Sequence, residues 1–283
     1  MRIADVGEYF QRFPVPKSAV LQDIWTNFER WNLKAIRNPF TLTISLVMPI
    51  IWLAGYTQVF KSLTLLPGFP AESYLAFFSP AVIIVMAMFA AATSGMGLVD
   101  DMDTGIFNKQ LVSPMNRSAM VVGKICSEAL RLAVQVLFLL ALAMVLGAHV
   151  VTGLGGIVAI VLIAELFSFV FVAFSNIVGL VTHRSDATAL VSNFITLPLV
   201  FLSSSFVPRS LLPTWIQTIS TFNPVTYGVT AIRVLMLDGW VWTTIGPAVV
   251  VLVVFDLVLG GIAVVLLRRA TDSETTLGVG GHR

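Results

Sequence analysis

Apolar residues in this chain come in long unbroken runs, separated by polar segments that hold most of the charge. A helix needs about 20 apolar residues to cross the hydrocarbon core of a bilayer. Six stretches reach that length, at about 40–60, 75–99, 126–147, 154–182, 188–207 and 244–267. They are continuous, unlike the alternating segments of about ten residues in membrane β-barrels. The pattern therefore predicts an all-α polytopic membrane protein with six transmembrane helices. The fourth run exceeds the length required, which predicts tilt or an extension beyond the lipid.

Composition removes the soluble alternative. Hydrophobic residues make up 57% of the 283 and charged residues 11%, against about 25% charged in soluble domains. A net charge of +2 with no basic block gives no footing for nucleic acid. One cysteine, Cys126, excludes an internal disulfide, a cysteine metal cluster and a CxxC redox pair. The first residues carry charge and no apolar run, so no cleavable signal is expected. Hydrolase motifs such as GxSxG and HExxH are absent, and an enzyme is not expected. Lys and Arg set the orientation. With both termini inside, fourteen of the 17 fall on cytoplasmic segments, leaving Lys61, Arg209 and Arg233 outside. The expected organisation is a cytoplasmic segment 1–38, a six-helix domain 39–268 and a flexible cytoplasmic tail 269–283.

The polar segments carry the candidate chemistry. Over 19–37, Leu21, Ile24, Trp25, Phe28, Trp31 and Ala35 recur at helical spacing, with Gln22, Asp23, Asn27, Glu29, Arg30 and Lys34 mostly opposite. This predicts an amphipathic helix on the cytoplasmic interface, anchored by Trp25 and Trp31. In the segment 100–117, Asp100, Asp101 and Asp103 lead through Gly105 into a short helix from Ile106 to Val112, which Pro114 ends. Asp103 and Thr104 suit its N-terminus, and Ile106, Phe107 and Leu111 suit a partner's groove. The three acids lack His and Glu, so capping explains them better than a metal. Glu128 and Arg131 share a helix face and suit a pair. Glu165 and Asp256 lie inside apolar runs, where an acid costs about 2.5–3.5 kcal/mol. For Glu165 a structural hydrogen bond to Ser168 or Asn176 and a place on a substrate or ion pathway both remain open. His183 reads as a loop residue. Between the fifth and sixth runs, Pro208, Pro213 and Pro224 break 208–238 into short helices, Leu211–Phe222 and Val225–Leu237. Broken backbone at membrane depth needs cover from protein or water, so a re-entrant pair is expected.

Arg37-Asn38-Pro39-Phe40, Asp103-Thr104-Gly105 with Gln110 through Arg117, and Phe206-Val207-Pro208, Leu212-Pro213 and Phe222-Asn223-Pro224-Val225-Thr226-Tyr227 through Arg233 stand in this order on these segments. In this the chain resembles the membrane subunit of type-2 ABC exporters, the group that includes daunorubicin-resistance permeases. It departs in the middle motif, where Asp replaces the usual Glu and Thr-Gly-Ile the usual Gly-Thr-Leu. The resemblance implies a permease that exports an amphipathic drug-like or lipid-like substrate. It implies two copies of an ABC ATPase subunit, a second permease subunit, identical or homologous, and no cofactor on this chain. ATP and magnesium would sit on the ATPase, and no G-x-x-x-x-G-K-[ST] occurs here to cradle a phosphate. It places coupling to the ATPase at Asp103, Gly105, Phe107, Leu111, Pro114, Arg117, Trp25 and Arg37. A substrate pathway or gate is expected at Glu165, Phe167, Phe171, Phe201, Asn223, Tyr227 and Arg233, with bracing of the hairpin as the plainer role for the last three. A polysaccharide or glycolipid exporter of the same fold is the alternative. An ion-coupled transporter or channel using Glu165 and Asp256 is a more distant one.

Overall fold

A computed structural model of the chain describes residues 17–67, 69–106, 109 and 117–277. Among these residues the regular structure is entirely helical. The helices are α1 (Lys17–Ile36), α2 (Pro39–Val59), α3 (Tyr74–Asp103), α4 (Arg117–Val145), α5 (Gly153–Thr182), α6 (Ser185–Phe201), α7 (Thr214–Ser220), α8 (Pro224–Leu237) and α9 (Trp242–Leu277). Short 3-10 turns occupy Lys61–Leu65 and Arg209–Leu211. Four stretches are long and apolar enough to cross a membrane: Tyr74–Asp103, Ala119–Val145, Gly153–Thr182 and Trp242–Leu266. Thr43–Val59, Ser185–Phe201 and Pro224–Leu237 are shorter apolar helices.

Several boundaries differ from the sequence expectation for local reasons. The fifth run was expected to reach 207, but α6 stops at Phe201. Ser203 Oγ donates to the Val200 carbonyl at 2.6 Å and accepts from the Ser205 N–H at 3.2 Å. These side chains offer the backbone an alternative to the helix, and Pro198 already lacks a donor. Helix α8 starts where Asn223 caps it. The Asn223 Oδ1 accepts the Val225 N–H at 3.0 Å, and Pro224 fills the first helical position, where no donor is needed. Helix α9 continues to Leu277, into the segment expected as a tail.

The chain divides into two compact units. The first takes the described residues up to Thr43 and from Asp101 to Arg131, and the second takes Ile44–Asp100 and the residues from Leu132 onward. In the second unit α3 is the pillar: 78% of its most apolar stretch is buried, against 6% for α9. Helix α5 packs on α6, α8 and α9, and α8 packs on α9. Small residues set a close crossing between α3 and α5. The Ser175 Oγ accepts the Gly95 N–H at 3.0 Å and donates to the Ala92 carbonyl at 2.7 Å. A Cβ on Gly95 would collide with the Ser175 carbonyl, so only glycine permits this approach. Apolar side chains such as Leu190, Phe194, Leu197 and Phe201 of α6 face outward, a surface that suits lipid.

Candidate functional site

The first unit is organised around charge. Its Asp101 side chain is only 4% exposed and accepts from Arg30 Nη1 at 2.8 Å and Lys34 Nζ at 3.0 Å. Both donors lie on α1, one turn apart. Between them in sequence, the Trp31 ring carries Arg30 at 4.8 Å, Lys34 at 4.9 Å and Lys124 at 5.2 Å from its centroid. Lys124 in turn lies 3.7 Å from Glu128, one turn along α4. Helix α1 presses close to α4 at Gly123, where a Cβ would stand 2.6 Å from the Asn27 Cβ and the Ile24 carbonyl oxygen. The polar side of α1 is thus its packed side, with Asn27 buried, while Leu21, Trp25, Leu33 and Ile36 are exposed. A soluble amphipathic helix would do the reverse. An exposed apolar stripe beside a packed, ion-paired polar face suits a membrane interface.

The acidic stretch expected to serve a helix start disperses instead. Asp101 holds the α1 cations, and Asp100, in the second unit, accepts from Ser185 Oγ at 2.6 Å. Asp103 ends α3 with its side chain exposed, and Thr104 donates back to the Asp101 carbonyl at 3.5 Å. Among the described residues no group of His, Cys, Asp and Glu can hold a metal. Gly105 takes a φ of +68°, which turns the chain out of α3, and its carbonyl accepts the Lys109 N–H at 3.1 Å. Phe107, Leu111 and Pro114 lie outside the described residues. Arg117 opens α4, with its side chain likewise outside them. Trp25 is exposed, its ring 5.4 Å from that of Phe28, and Arg37 is exposed just past the end of α1.

In the second unit three of the residues expected at a gate lie along α8, Asn223 and Tyr227 at its start and Arg233 in its second half. Asn223 is 3% exposed and donates to the Leu199 carbonyl at 2.6 Å and the Leu202 carbonyl at 3.2 Å, besides capping α8. Tyr227 donates to the Thr221 carbonyl at 2.7 Å and so closes the α7–α8 turn. Arg233 donates through Nε to the Phe77 carbonyl at 3.1 Å and through Nη2 to the Ser204 carbonyl at 3.0 Å. Its guanidinium lies 3.8 Å from the Phe77 ring centroid. Tyr74 adds a bond to the Phe206 carbonyl at 2.9 Å. Aromatic rings continue from there: Tyr74 to Phe78 at 5.5 Å, Phe78 to Phe206 at 5.6 Å, Phe206 to Phe201 at 5.4 Å and Phe206 to Tyr56 at 5.4 Å. Broken backbone around 199–206 therefore has its carbonyls answered by side chains from α3 and α8.

The other candidates lie on other helices, with Phe167 facing Gly228 of α8 and Phe201 at the edge of the aromatic chain. Phe167 and Phe171 pair at 5.0 Å and are buried, whereas Phe201 is exposed. Among the described residues both Glu165 carboxyl oxygens and both Asp256 carboxyl oxygens are buried without a hydrogen bond of ordinary geometry, though the Ala133 main-chain N–H approaches Glu165. The local bond expected for Glu165 is not made; Asn176 Oδ1 instead accepts from Ser94 Oγ at 3.3 Å. His183 is a helix terminator: at φ +50° it caps α5, with its N–H on the Gly179 carbonyl at 3.0 Å. Its neighbour Arg184 grips Asp186 at 2.7 Å in full exposure, and these hydrogen bonds hold the Asp186 carboxyl below its ordinary range.

The family model described as ABC-2 type transporter matches residues 22–237. That range takes in α1 from its second turn through the last residue of α8, hence both sites above. The chain belongs to the ABC-2 type transporter family. Its relatives include a daunorubicin resistance ABC transporter permease protein of Streptomyces coeruleorubidus, 27% identical over 77% of this chain and 75% of that one. A putative transport permease of Cyanophora paradoxa is 26% identical over 84% and 86%. A probable doxorubicin resistance ABC transporter permease protein of Mycobacterium tuberculosis is 23% identical over 72% of each chain. This ABC-2 chain is accordingly a multi-pass membrane subunit of a transporter, of a family whose permeases work with an ABC ATPase and assemble in pairs. The sequence signalled Asn223, Tyr227 and Arg233 through its Pro-broken segment. It gave no sign of the Asp101 hub, whose partners are 67 and 71 residues away.

Proposed function

We propose that this chain is the transmembrane half of an ATP-driven exporter for an amphipathic drug-like or lipid-like substrate. Six helices (α2, α3, α4, α5, α6 and α9) cross the bilayer, with both termini cytoplasmic. Helices α7 and α8 form a re-entrant pair at the outer face. Residues 100–117 receive the push of a separate ATPase, of which two copies serve two permease subunits. ATP and magnesium belong to that partner.

The observation that carries the reading is the family match laid over the first unit. An interface helix is locked by Arg30 and Lys34 to Asp101, at the end of α3 and the start of the segment expected to meet the ATPase. A push on that segment is then transmitted through ion pairs on a buried carboxylate and a tight helix crossing rather than through a slack loop. Rocking of packed helices between two arrangements would change the side on which the pathway opens. Glu165, Phe167, Phe171 and Phe201 are offered as pathway residues within this reading.

The test is reconstitution with the cognate ATPase in vesicles and measurement of ATP-dependent movement of a fluorescent anthracycline. Transport that follows an ion gradient and ignores ATP removes the reading. Within the complex, Phe107→Asp with Leu111→Asp is expected to leave ATP hydrolysis but abolish transport. Wild-type coupling in that double variant would remove the coupling assignment.

A further inference from the structure

Helix α2 carries a proline, Pro49, in its interior. A proline has no N–H, so the carbonyl four residues earlier loses its helical donor. In α2 that carbonyl belongs to Ser45. It is answered from another helix: the Gln135 side chain of α4 donates to it through Nε2 at 3.2 Å. Gln135 is only 8% exposed and Pro49 is buried, so an unmet amide or carbonyl here would be costly. The proline inside α3 is handled differently. Pro80 frees the Ala76 carbonyl, and Ser79 of the same helix turns its Oγ to it at 3.5 Å. There the break is mended within the helix. At Pro49 the mending depends on how α2 and α4 stand to one another.

The two halves of α2 are held by unequal means. After Pro49, the rings of Trp52, Tyr56 and Phe60 engage rings of other elements. Trp52 lies 6.5 Å from Phe89, Tyr56 lies 5.5 Å from Phe78 and 5.4 Å from Phe206, and Phe60 lies 5.5 Å from Tyr74. Leu53 is buried among them in the core. Before Pro49, Ile44, Leu46, Val47 and Met48 are all exposed. The half-buried residue of that stretch is Ser45, whose carbonyl Gln135 holds. Helices kink at proline, and a neutral hydrogen bond contributes little net stability, so one bond opens and closes readily. Ring packing fixes one half of the helix, and an amide from α4 holds the other.

We propose that Pro49 is a hinge in α2 and that Gln135 is its latch. In this structure the latch is closed, and the amide holds the segment before Pro49 against α4. Release of that bond lets the segment swing while Trp52, Tyr56 and Phe60 stay in their ring contacts. Gln135 is a positioning residue in this device, with no contact to cargo required of it. The hinge deepens the transport reading by giving the rocking of helices a named pivot. It rests on that reading only for the step that links the swing to ATP.

The device is tested first on the full-length chain alone, in lipid nanodiscs. Pro49→Ala supplies the N–H that the Ser45 carbonyl lacks. Gln135→Met, similar in shape but without a donor, should lower the unfolding temperature of the wild type. In a Pro49→Ala background it should lose at least about half of that effect. Spin labels read the swing, placed through Val47→Cys and Val134→Cys at two exposed positions, with Cys126→Ser removing the native thiol. Gln135→Met should shift the label distances toward longer values, and Pro49→Ala should narrow their spread. Equal destabilisation by Gln135→Met in both backgrounds overturns the latch. Distances that stay the same in Gln135→Met and in Pro49→Ala overturn the hinge. The link to ATP is read on the complex with its ATPase in vesicles. There Pro49→Ala should keep ATP hydrolysis and at least wild-type stability while transport falls severalfold, and undiminished transport overturns the hinge as the pivot of the cycle. Stability and label distances are measured without ATP or the ATPase, so their failure leaves the transport reading intact. Failure of ATP-dependent transport in the wild type removes that reading and leaves the stability and distance results standing.

Discussion

Asp101 and Arg233 are both charged residues drawn into packed regions, and the protein treats them in opposite ways. Asp101 is met by two cations, each at hydrogen-bonding distance, with a tryptophan face beneath both of them. Among the described residues Arg233 is met by two carbonyls and a phenylalanine ring, with no carboxylate. The first arrangement spends its charges on one another and closes on itself, as a structural joint should. The second uses a cation to hold broken backbone and leaves its positive field uncancelled. Opposite charges paired in a joint cost dearly when one side is deleted. A carbonyl-bound arginine costs less to remove, since its desolvation disappears with it.

The largest effect should follow from stripping the cations off Asp101. Arg30→Met with Lys34→Met strips a nearly buried carboxylate of both hydrogen-bonded cations and leaves, among the described residues, only Lys124 to act on it, and a loss of about 3 kcal/mol is expected. Thermal unfolding in detergent, followed by tryptophan fluorescence, reads it. Adding Asp101→Asn to that pair should recover a large part of the loss, because it removes the orphan charge. A triple variant no more stable than the double would mean that the pairs are not what secures α1. Next comes Gly123→Ala, whose Cβ would stand 2.6 Å from Asn27 Cβ and the Ile24 carbonyl. Main chain on one side leaves little room to yield, so about 1–3 kcal/mol is expected from overpacking. Arg233→Gln should be milder, about 1–2 kcal/mol for two lost hydrogen bonds partly offset by the cation's removal. If Arg233→Gln proves costlier than the Asp101 variants, the contrast between the two regions inverts.

What the sequence displays of this contrast follows the range of the interactions. Helix order, the amphipathic α1 and the break at Asn223-Pro224 are local, written in spacing and capping chemistry, and the helices appear where those signals lie. The polar segment before the last apolar run drew attention to Arg233 because an arginine beside apolar runs stands out. Its partners Phe77 and Ser204 are 156 and 29 residues away and have no local signature. Asp101 was harder still. Within Asp100-Asp101-Met102-Asp103 a helix-end role explains all three acids equally well, and only tertiary packing separates them. The same holds for Glu165, whose neighbours Ser168 and Asn176 offered a satisfied reading that the packing does not deliver. Glycine at 95 and 123 reads as a weak point in a helix until the facing backbone is seen.

The smallest effect is expected where a pair has ideal geometry and no burial. Arg184 and Asp186 meet at 2.7 and 3.1 Å, with side chains 71% and 63% exposed. Water already solvates both, salt screens them, and such pairs contribute little. Their titration also places any contribution out of reach. The Asp186 carboxyl is lowered, first by the Arg184 hydrogen bond, from an ordinary value of 3.8. What it adds is therefore complete above that ordinary value and lost only as the pH falls through the lower folded one. Arg184 is raised, first by the same hydrogen bond, so its share is complete below its ordinary value and fades only far above the physiological range. Arg184→Ala should then leave the unfolding temperature unchanged between about pH 5 and 9, at low and high salt alike. Against it, Lys34→Met removes one of the two cations on Asp101, and its smaller partner effect should still be measurable and should shrink as salt is raised, because the Lys34 side chain is 42% exposed. Equal silence from both variants would show that burial of the carboxylate, and not the number of its partners, decides what a pair is worth in this protein.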